Sequence, residues 1–187
     1  MKKLSLSIIG VIFLSLTLSA RQPSRGYRGF IDFAWSTFSE SIGDDWKITA
    51  NHYGLSTVHG YQIIPELFVG AGFELANNAT ASSVYLPVFA DIRTDLKFGR
   101  FTPFADMRVG WAVCSDGGFR LQPMVGYRFN WGRKVGINLA VGMTLQCYKT
   151  YDYSDSGWID PDGYQHQAYR VEHRALAGFT LRLGFDF

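Results

Sequence analysis

The sequence predicts an all-β fold, and three observations support the prediction. Apolar and polar residues alternate along most of the chain, and only an extended strand places odd and even positions on opposite faces. Aromatic residues make up 16% of the 187 residues and there are 20 glycines, whereas charged residues make up only 18%, less than the roughly 25% of soluble domains. After residue 20 the chain lacks the run of about 18 apolar residues that a membrane-spanning helix needs, so it could cross a membrane only as a closed barrel of strands.

The first element is an export signal at residues 1–20. Two lysines precede an apolar stretch up to Leu18, and two small residues, Ser19 and Ala20, close it. This order is typical of a cleaved secretory signal peptide, and the stretch is shorter than the roughly 20 residues of a membrane anchor. We therefore predict a signal peptide at 1–20 and an outer-membrane β-barrel domain at 21–187.

The charge balance argues against a polyanionic partner. Two of the 18 lysines and arginines lie in the export signal, which leaves 16 basic residues against 16 aspartates and glutamates. A domain that binds nucleic acid usually carries a basic excess on one face. No nucleic-acid partner is therefore expected.

The alternation is clearest between Val135 and Cys147, where every odd position is apolar and every even position is small or polar. The last segment repeats the pattern from Ala175 to Phe187. A helix would instead repeat its apolar residues every three or four positions. The same rule, applied along the chain, predicts eight strands, at 27–36, 53–63, 67–76, 83–97, 102–114, 119–130, 134–148 and 171–187.

The connections predict an up-and-down antiparallel meander with two unlike rims. The second, fourth and sixth connections are short, as at Ile64-Pro65-Glu66, and they form the short-turn rim. The first and last connections are long, at 37–52 and 149–170, and they belong to the long-loop rim. Short periplasmic turns opposite longer extracellular loops are typical of a transmembrane β-barrel.

The distribution of charge indicates which face points inward. A soluble barrel, such as a lipocalin-like carrier, hides its apolar face and shows its polar face to water. Here the polar face is rich in glycine and its charges balance, which fits a narrow interior in which glycine makes room for arginine–carboxylate pairs. We predict a polar interior that is not an open pore, with a lumen charge network of Arg28, Asp32, Glu74, Asp91, Arg93, Asp106, Arg108, Arg128, Arg182 and Asp186.

Aromatic residues on the apolar face gather near both ends of the strands. Two such girdles fit a membrane interface, where one part of a ring meets water and the other meets lipid. The predicted girdle residues are Trp35, Trp111 and Tyr148 near the long-loop rim, and Tyr27, Phe98 and Trp131 near the short-turn rim.

The end of the chain resembles the small OmpA/OmpX-like outer-membrane barrels. In that family a C-terminal phenylalanine, with apolar residues at alternate positions before it, is the signal that the barrel-assembly machinery recognises. Leu181, Leu183, Phe185 and Phe187 match this signal. The resemblance implies a monomer in the bacterial outer membrane, with the membrane lipid and the assembly machinery as partners and no cofactor.

Enzymatic function is the alternative to a structural role. Some eight-stranded outer-membrane barrels modify lipid A with a histidine, a serine and an acidic residue at the outer rim, where the histidine activates the hydroxyl. His173 begins the last strand, and the first strand brings Ser36, Ser39 and Glu40 to the same rim. The chain lacks a histidine and a serine paired along one strand, so we expect no catalytic site.

The last long loop is the candidate for contact with an external partner. Residues 149–170 contain four aspartates, but the segment fails the calcium-loop template because Gly163 stands where the bidentate glutamate should be. No metal site is therefore predicted. Tyrosine and tryptophan are frequent in and beside this loop, and they supply large contact areas to binding surfaces. A non-enzymatic role in envelope structure or surface adhesion is the function that the sequence favours.

The two cysteines are predicted to be free thiols. Cys114 has the parity (odd or even position along the strand) of the inward residues, whereas Cys147 has the parity of the outward residues. Another strand lies between the two cysteines. A disulfide needs Cα atoms about 4.4–6.8 Å apart, which side chains on opposite faces of non-adjacent strands cannot provide.

Overall fold

The computed structural model describes residues 25–42, 46–80, 83–96, 101–113, 117–131, 135–153, 158–159, 165–166 and 169–187. None of these residues forms a helix long and apolar enough to cross a membrane. The strands are β1 (Gly26–Ile42), β2 (Trp46–Ile64), β3 (Leu67–Asn78), β4 (Ser83–Tyr85), β5 (Pro87–Asp95), β6 (Phe101–Ala112), β7 (Gly117–Trp131), β8 (Val135–Tyr153), β9 (Trp158–Ile159), β10 (Gln165–His166) and β11 (Tyr169–Asp186). The predicted signal peptide, 1–20, lies outside the described residues.

The main sheet is antiparallel and closes on itself. Neighbouring strands follow the order β2, β1, β11, β8, β7, β6, β5 and β3, and the pairing of β2 with β3 completes the circle. The short strand β4 also pairs with β3 and continues the line of β5 beyond Leu86, so the barrel has eight strands. The remaining pair, β9 and β10, forms a small hairpin within the last connection. The predicted fold class, an eight-stranded up-and-down barrel, is confirmed.

The polarity of the barrel is the reverse of that of a soluble protein. Large apolar side chains cover the outside, where Phe33 is 49% exposed and Leu183 is 53% exposed. Charged side chains are buried inside, and Asp32, Arg93 and Arg182 are fully inaccessible. Lipid is the solvent that such an outer face requires, and a polar lumen goes with it. The predicted assignment of the faces is confirmed.

The eight predicted strands are all present, but the prediction of a long first connection at 37–52 is wrong. β1 and β2 remain paired as far as Ile42 and Trp46, and only residues 43–45 separate them. Beyond the apolar band neither face of a hairpin needs to be apolar. The alternation therefore ends near Trp35 although the ladder of backbone hydrogen bonds continues.

Two other boundaries differ from the prediction. β8 and β11 are paired up to Tyr153 and Tyr169, so the last connection is 154–168 instead of 149–170. The fourth predicted strand is interrupted at Leu86, whose carbonyl still accepts a hydrogen bond of 2.9 Å from the N–H of Val113. The alternation of side chains passes through this break unchanged, which is why the sequence predicted one strand there.

Chain closure joins the first strand to the last. The ladder between β1 and β11 runs from Phe30 and Asp186 to Phe38 and Gly178. It is extended by Gly29 and Phe187, whose N–H and carbonyl groups are bonded to each other at 3.0 and 3.1 Å. The last residue of the chain is therefore part of the seam that closes the barrel.

Candidate functional site: the charged lumen

The lumen contains all ten residues of the predicted charge network, and each of them is buried. The network also includes Asp95 and Arg120, which the prediction left out although they share the parity of the inward residues. Six arginines and six carboxylates are thus enclosed by the described part of the wall. The lumen is electrically balanced, which a low-dielectric interior requires.

The tier nearest the short-turn rim consists of two arginines and two aspartates in a closed square. Arg28 lies 3.0 Å from Asp95 and 3.1 Å from Asp186. Arg128 contacts the same two carboxylates, at 3.5 and 2.8 Å. Gln62 accepts a hydrogen bond of 2.9 Å from Arg28, and its amide donates to the carbonyls of Ile64 and Pro65 in the adjoining turn. This tier connects the turn between β2 and β3 to the beginning of β1 and the end of β11.

The middle tier links the seam to the opposite wall. On one side, Asp106 of β6 binds Arg93 of β5 at 2.9 Å and also pairs with Arg182 of β11. On the other side, Arg108 of β6 pairs with Asp32 of β1 and lies 3.2 Å from Asp91 of β5. Salt bridges that cross the lumen in this way join strands that share no backbone hydrogen bonds.

Aromatic rings separate the tiers. The guanidinium of Arg93 lies 4.0 Å from the ring centre of Phe30 and 4.5 Å from that of Phe104. That of Arg108 lies 4.8 Å from Phe89. Cations over aromatic faces are favourable when water is excluded. Sequence reasoning concentrated on the charges and missed these apolar lumen residues, whose inward parity was the signal that could have identified them.

The tier towards the long-loop rim is less charged. Arg120 binds Glu74 at 3.1 Å, and His52 is hydrogen-bonded to the hydroxyl of Tyr85 at 2.7 Å. Beside them, a chain of buried side-chain hydrogen bonds of 2.7–2.9 Å crosses four strands, through Gln122, Thr144, Thr180 and Ser36. These contacts bridge the lumen above the middle tier.

Glycine provides the space that the network occupies. A Cβ atom on Gly54 would collide with the carboxylate of Glu74, and one on Gly136 would collide with that of Asp186. Inside a narrow barrel, the missing side chain allows a carboxylate to lie against the wall. The prediction that inward glycines make room for charged pairs is confirmed at these positions.

The arrangement can hold the barrel shut. Among the residues that the structure describes, no group of three His, Cys, Asp or Glu side chains could hold a metal ion. Ser36, one of the two serines of the enzymatic alternative, is hydrogen-bonded to Thr180 at 2.9 Å. Since Thr180 also pairs with Ser36 in the ladder, His173 lies seven residues away along β11, about 23 Å at the usual rise of a strand. The backbone positions of Ser36 and His173 are therefore far apart.

The predicted girdle residues occupy different places in the structure. Tyr27 and Trp111 are on the outer face and about half exposed, and Trp35 is half-buried there. Tyr148 was assigned to the wrong face: it shares the parity of the lumen residue Thr144, because the ladder between β8 and β11 runs without a register shift. Phe98 and the side chain of Trp131 lie outside the described residues, as do the side chains of residues 150–173.

The C-terminal residues are in the outward row of β11. Leu181 and Leu183 are exposed and Phe185 is half-buried. Phe187 is only 7% exposed because its ring covers Gly29, where a Cβ would lie 2.7 Å from it. Beside that ring, His59 is hydrogen-bonded to the hydroxyls of Tyr27 and Thr57, so the histidine on the outer wall is fully paired.

The fold and the lumen together define a small eight-stranded β-barrel of the outer-membrane type. Among solved structures, the chain is similar to Neisserial surface protein A, with 14% identity and a TM-score of 0.56 over 88% of this chain and 98% of that one. It is also similar to the outer membrane protein OprG from Pseudomonas aeruginosa, with 13% identity and a TM-score of 0.50 over 89% and 99% of the two chains. No protein-family model and no curated protein sequence matches it. At these identities the likeness extends to the fold alone.

Proposed function

We propose that this protein is a non-enzymatic component of the bacterial outer membrane, whose barrel anchors the long-loop rim at the cell surface. The observation that carries the proposal is the reversed polarity of the wall, with apolar side chains outside and paired charges within. The filled lumen supports an anchor better than a conduit, because three tiers of cross-linked side chains leave an eight-stranded barrel no open path.

The finer parts of the proposal concern export and assembly. Residues 1–20 direct secretion and are cleaved, and the row from Leu181 to Phe187 is the signal for the barrel-assembly machinery. The mature barrel resides in the membrane as a monomer with lipid around it. N-terminal sequencing of the mature protein should begin within two residues of position 21. Retention in the outer-membrane pellet after carbonate washing is the test of residence, and release into the wash would favour the soluble carrier.

The surface role is assigned to the last connection and its flanks. Tyrosines at 148, 151, 153, 164 and 169 and a tryptophan at 158 supply amphipathic contact area. Because Tyr153 and Tyr169 are paired, residues 154–168 can be replaced by Asn-Gly, the preferred two-residue turn. The replaced protein should insert normally but lose adhesion of whole cells to host-cell and glycan surfaces. Unchanged adhesion would remove this loop from the proposal and leave envelope structure.

The competing function is modification of lipid A. Mass spectrometry of lipid A before and after expression separates the two proposals, because a deacylase or an acyltransferase would change the mass by one acyl chain. An unchanged lipid A spectrum is the expected result. A shifted spectrum that reverts in a Ser36→Ala or His173→Ala variant would overturn the non-enzymatic assignment.

A further inference from the structure

The outer wall is not uniform: it contains a depression of about 600 Å³ across β5, β6, β7 and β8. Its recessed residues have short side chains, Thr94, Ala105 and Pro123, and each of them is only partly exposed. Met107 and Met143 stand higher beside them, with exposures of 44% and 52%. The difference in side-chain length across neighbouring strands produces the hollow.

The depression lies around mid-height of the wall. On β5 and β6 it begins at the pair of Thr94 and Ala105, close to the short-turn rim. On β8 it extends to Val141 and Met143, which are farther from that rim than Leu139. The depression therefore reaches the middle of the apolar band.

Apart from the hydroxyl of Thr94, the lining is apolar on its outward side. Asp106 is the single charged residue of the lining, and its carboxylate points into the lumen, where it binds Arg93. Methionine is flexible and polarisable, so Met107 and Met143 can adapt to an irregular apolar shape. The hollow therefore suits a flexible hydrocarbon.

We propose that the depression is a binding site for one acyl chain of a phospholipid. The site is continuous with the lipid-facing band, so lipid reaches it without crossing another surface. Burial alone gives no preference there, because lipid tails are as apolar as the wall. The preference comes from packing: a chain in the hollow gains dispersion contacts on three sides, whereas a chain on a flat wall gains them on one. The inference rests on the proposed residence in the membrane.

A second copy of the chain is the other occupant to test. The exposed apolar band continues around the described wall, and a second copy would need a ridge of side chains shaped to fit the hollow. Lipid needs no such ridge, since an acyl chain adapts to the hollow by rotating its own bonds. This difference favours the phospholipid.

Ala105→Leu fills the hollow and is the variant that tests the site. Ala90→Leu is its matched control, because Ala90 is an exposed alanine on the outer face of β5 that lies outside the lining. Each full-length protein is inserted into vesicles of phosphatidylethanolamine, extracted in a mild detergent and examined by native mass spectrometry for retained phosphatidylethanolamine. Heat-modifiable migration on a gel reports whether the barrel is folded.

The unaltered protein and Ala90→Leu should retain one phosphatidylethanolamine, and Ala105→Leu should lose most of it while remaining a folded monomer. The acyl-chain site would be overturned if the folded unaltered protein retained no phosphatidylethanolamine, or if Ala105→Leu retained as much of it as the unaltered protein. Either result would leave the proposed function standing. A dimer that Ala105→Leu dissociates would assign the hollow to a second copy. Failure of the unaltered protein to insert would instead count against the proposed function.

Discussion

Asp32 on β1 and Gly184 on β11 are paired across the closing seam, and the carboxylate of Asp32 occupies the space in which a side chain of Gly184 would lie. The amide of Asn138 borders the same space, 2.5–2.6 Å from where that Cβ would be. From this position Asp32 reaches across the lumen to Arg108. The absence of one side chain thus allows the seam to be linked to the opposite wall.

Gly184→Ala should therefore destabilise the barrel by about 1–3 kcal/mol, the usual cost of overpacking a filled interior. The methyl group must displace Asp32 or Asn138, both of which are fully buried. Unfolding by urea in lipid vesicles measures the change. Leu183→Met, one residue away on the outer face, is the control and should stay within about 0.5 kcal/mol. Equal stability of both variants would show that the lumen is looser than the structure indicates.

Arg182→Met should lower the free energy of unfolding by about 3–5 kcal/mol, because it leaves an excess carboxylate in the buried network. Arg182 pairs with Asp106. Adding Asp106→Asn restores the charge balance and should recover part of the loss. A double-variant cycle in the same vesicles checks this expectation. Strict additivity of the two changes would mean that the pair is not coupled.

Leu139→Arg should impair insertion, since Leu139 is on the outer face, 51% exposed, between Tyr127 and Leu183. An arginine at the bilayer midplane costs a barrel about 2–4 kcal/mol on its lipid side. Leu139→Phe, which keeps the site apolar, is the control and should insert normally. The fraction of heat-modifiable protein after refolding into vesicles is the measurement. Normal insertion of Leu139→Arg would contradict the assignment of the faces.

The purified protein should be silent in planar bilayers. Arginines and carboxylates from opposite walls meet in the lumen, and Arg93 is packed between two aromatic rings. An eight-stranded barrel filled in this way leaves no continuous water path. Conductance is recorded at a constant voltage over many insertions. Large, long-lived openings would refute the plug and move the function towards passive transport.

Both cysteines should be alkylated without a reductant. Cys147 carries a free thiol on the outer side of β8, whereas Cys114 lies outside the described residues and its thiol state remains a prediction from its inward parity. Mass spectrometry of the denatured, alkylated protein should show two labels. An unlabelled protein with a mass two units lower, the signature of a disulfide, would be the contrary result.

The amino-acid sequence alone determined the strands, their number and the faces of nearly every residue in them. In a strand, the side chains of odd and even positions point to opposite faces. In a transmembrane barrel one face meets lipid and the other lines a narrow polar lumen, so the two faces need different residues. Parity therefore placed Arg28, Asp91 and Leu139 correctly without knowledge of any contact. It erred at 37–52, where the strands continue beyond the apolar band and nothing requires them to alternate.

Tertiary structure alone decided which charges meet and where the outer wall is hollow. Parity places Asp106 inside. Only closure of the barrel brings Arg182 of the last strand, which is distant in the sequence, into contact with it. The hollow at Ala105 likewise depends on the lengths of side chains from four strands in one register. Alternation is a local property of the chain. The salt bridges across the lumen and the hollow in the outer wall depend instead on how strands distant in the sequence are aligned.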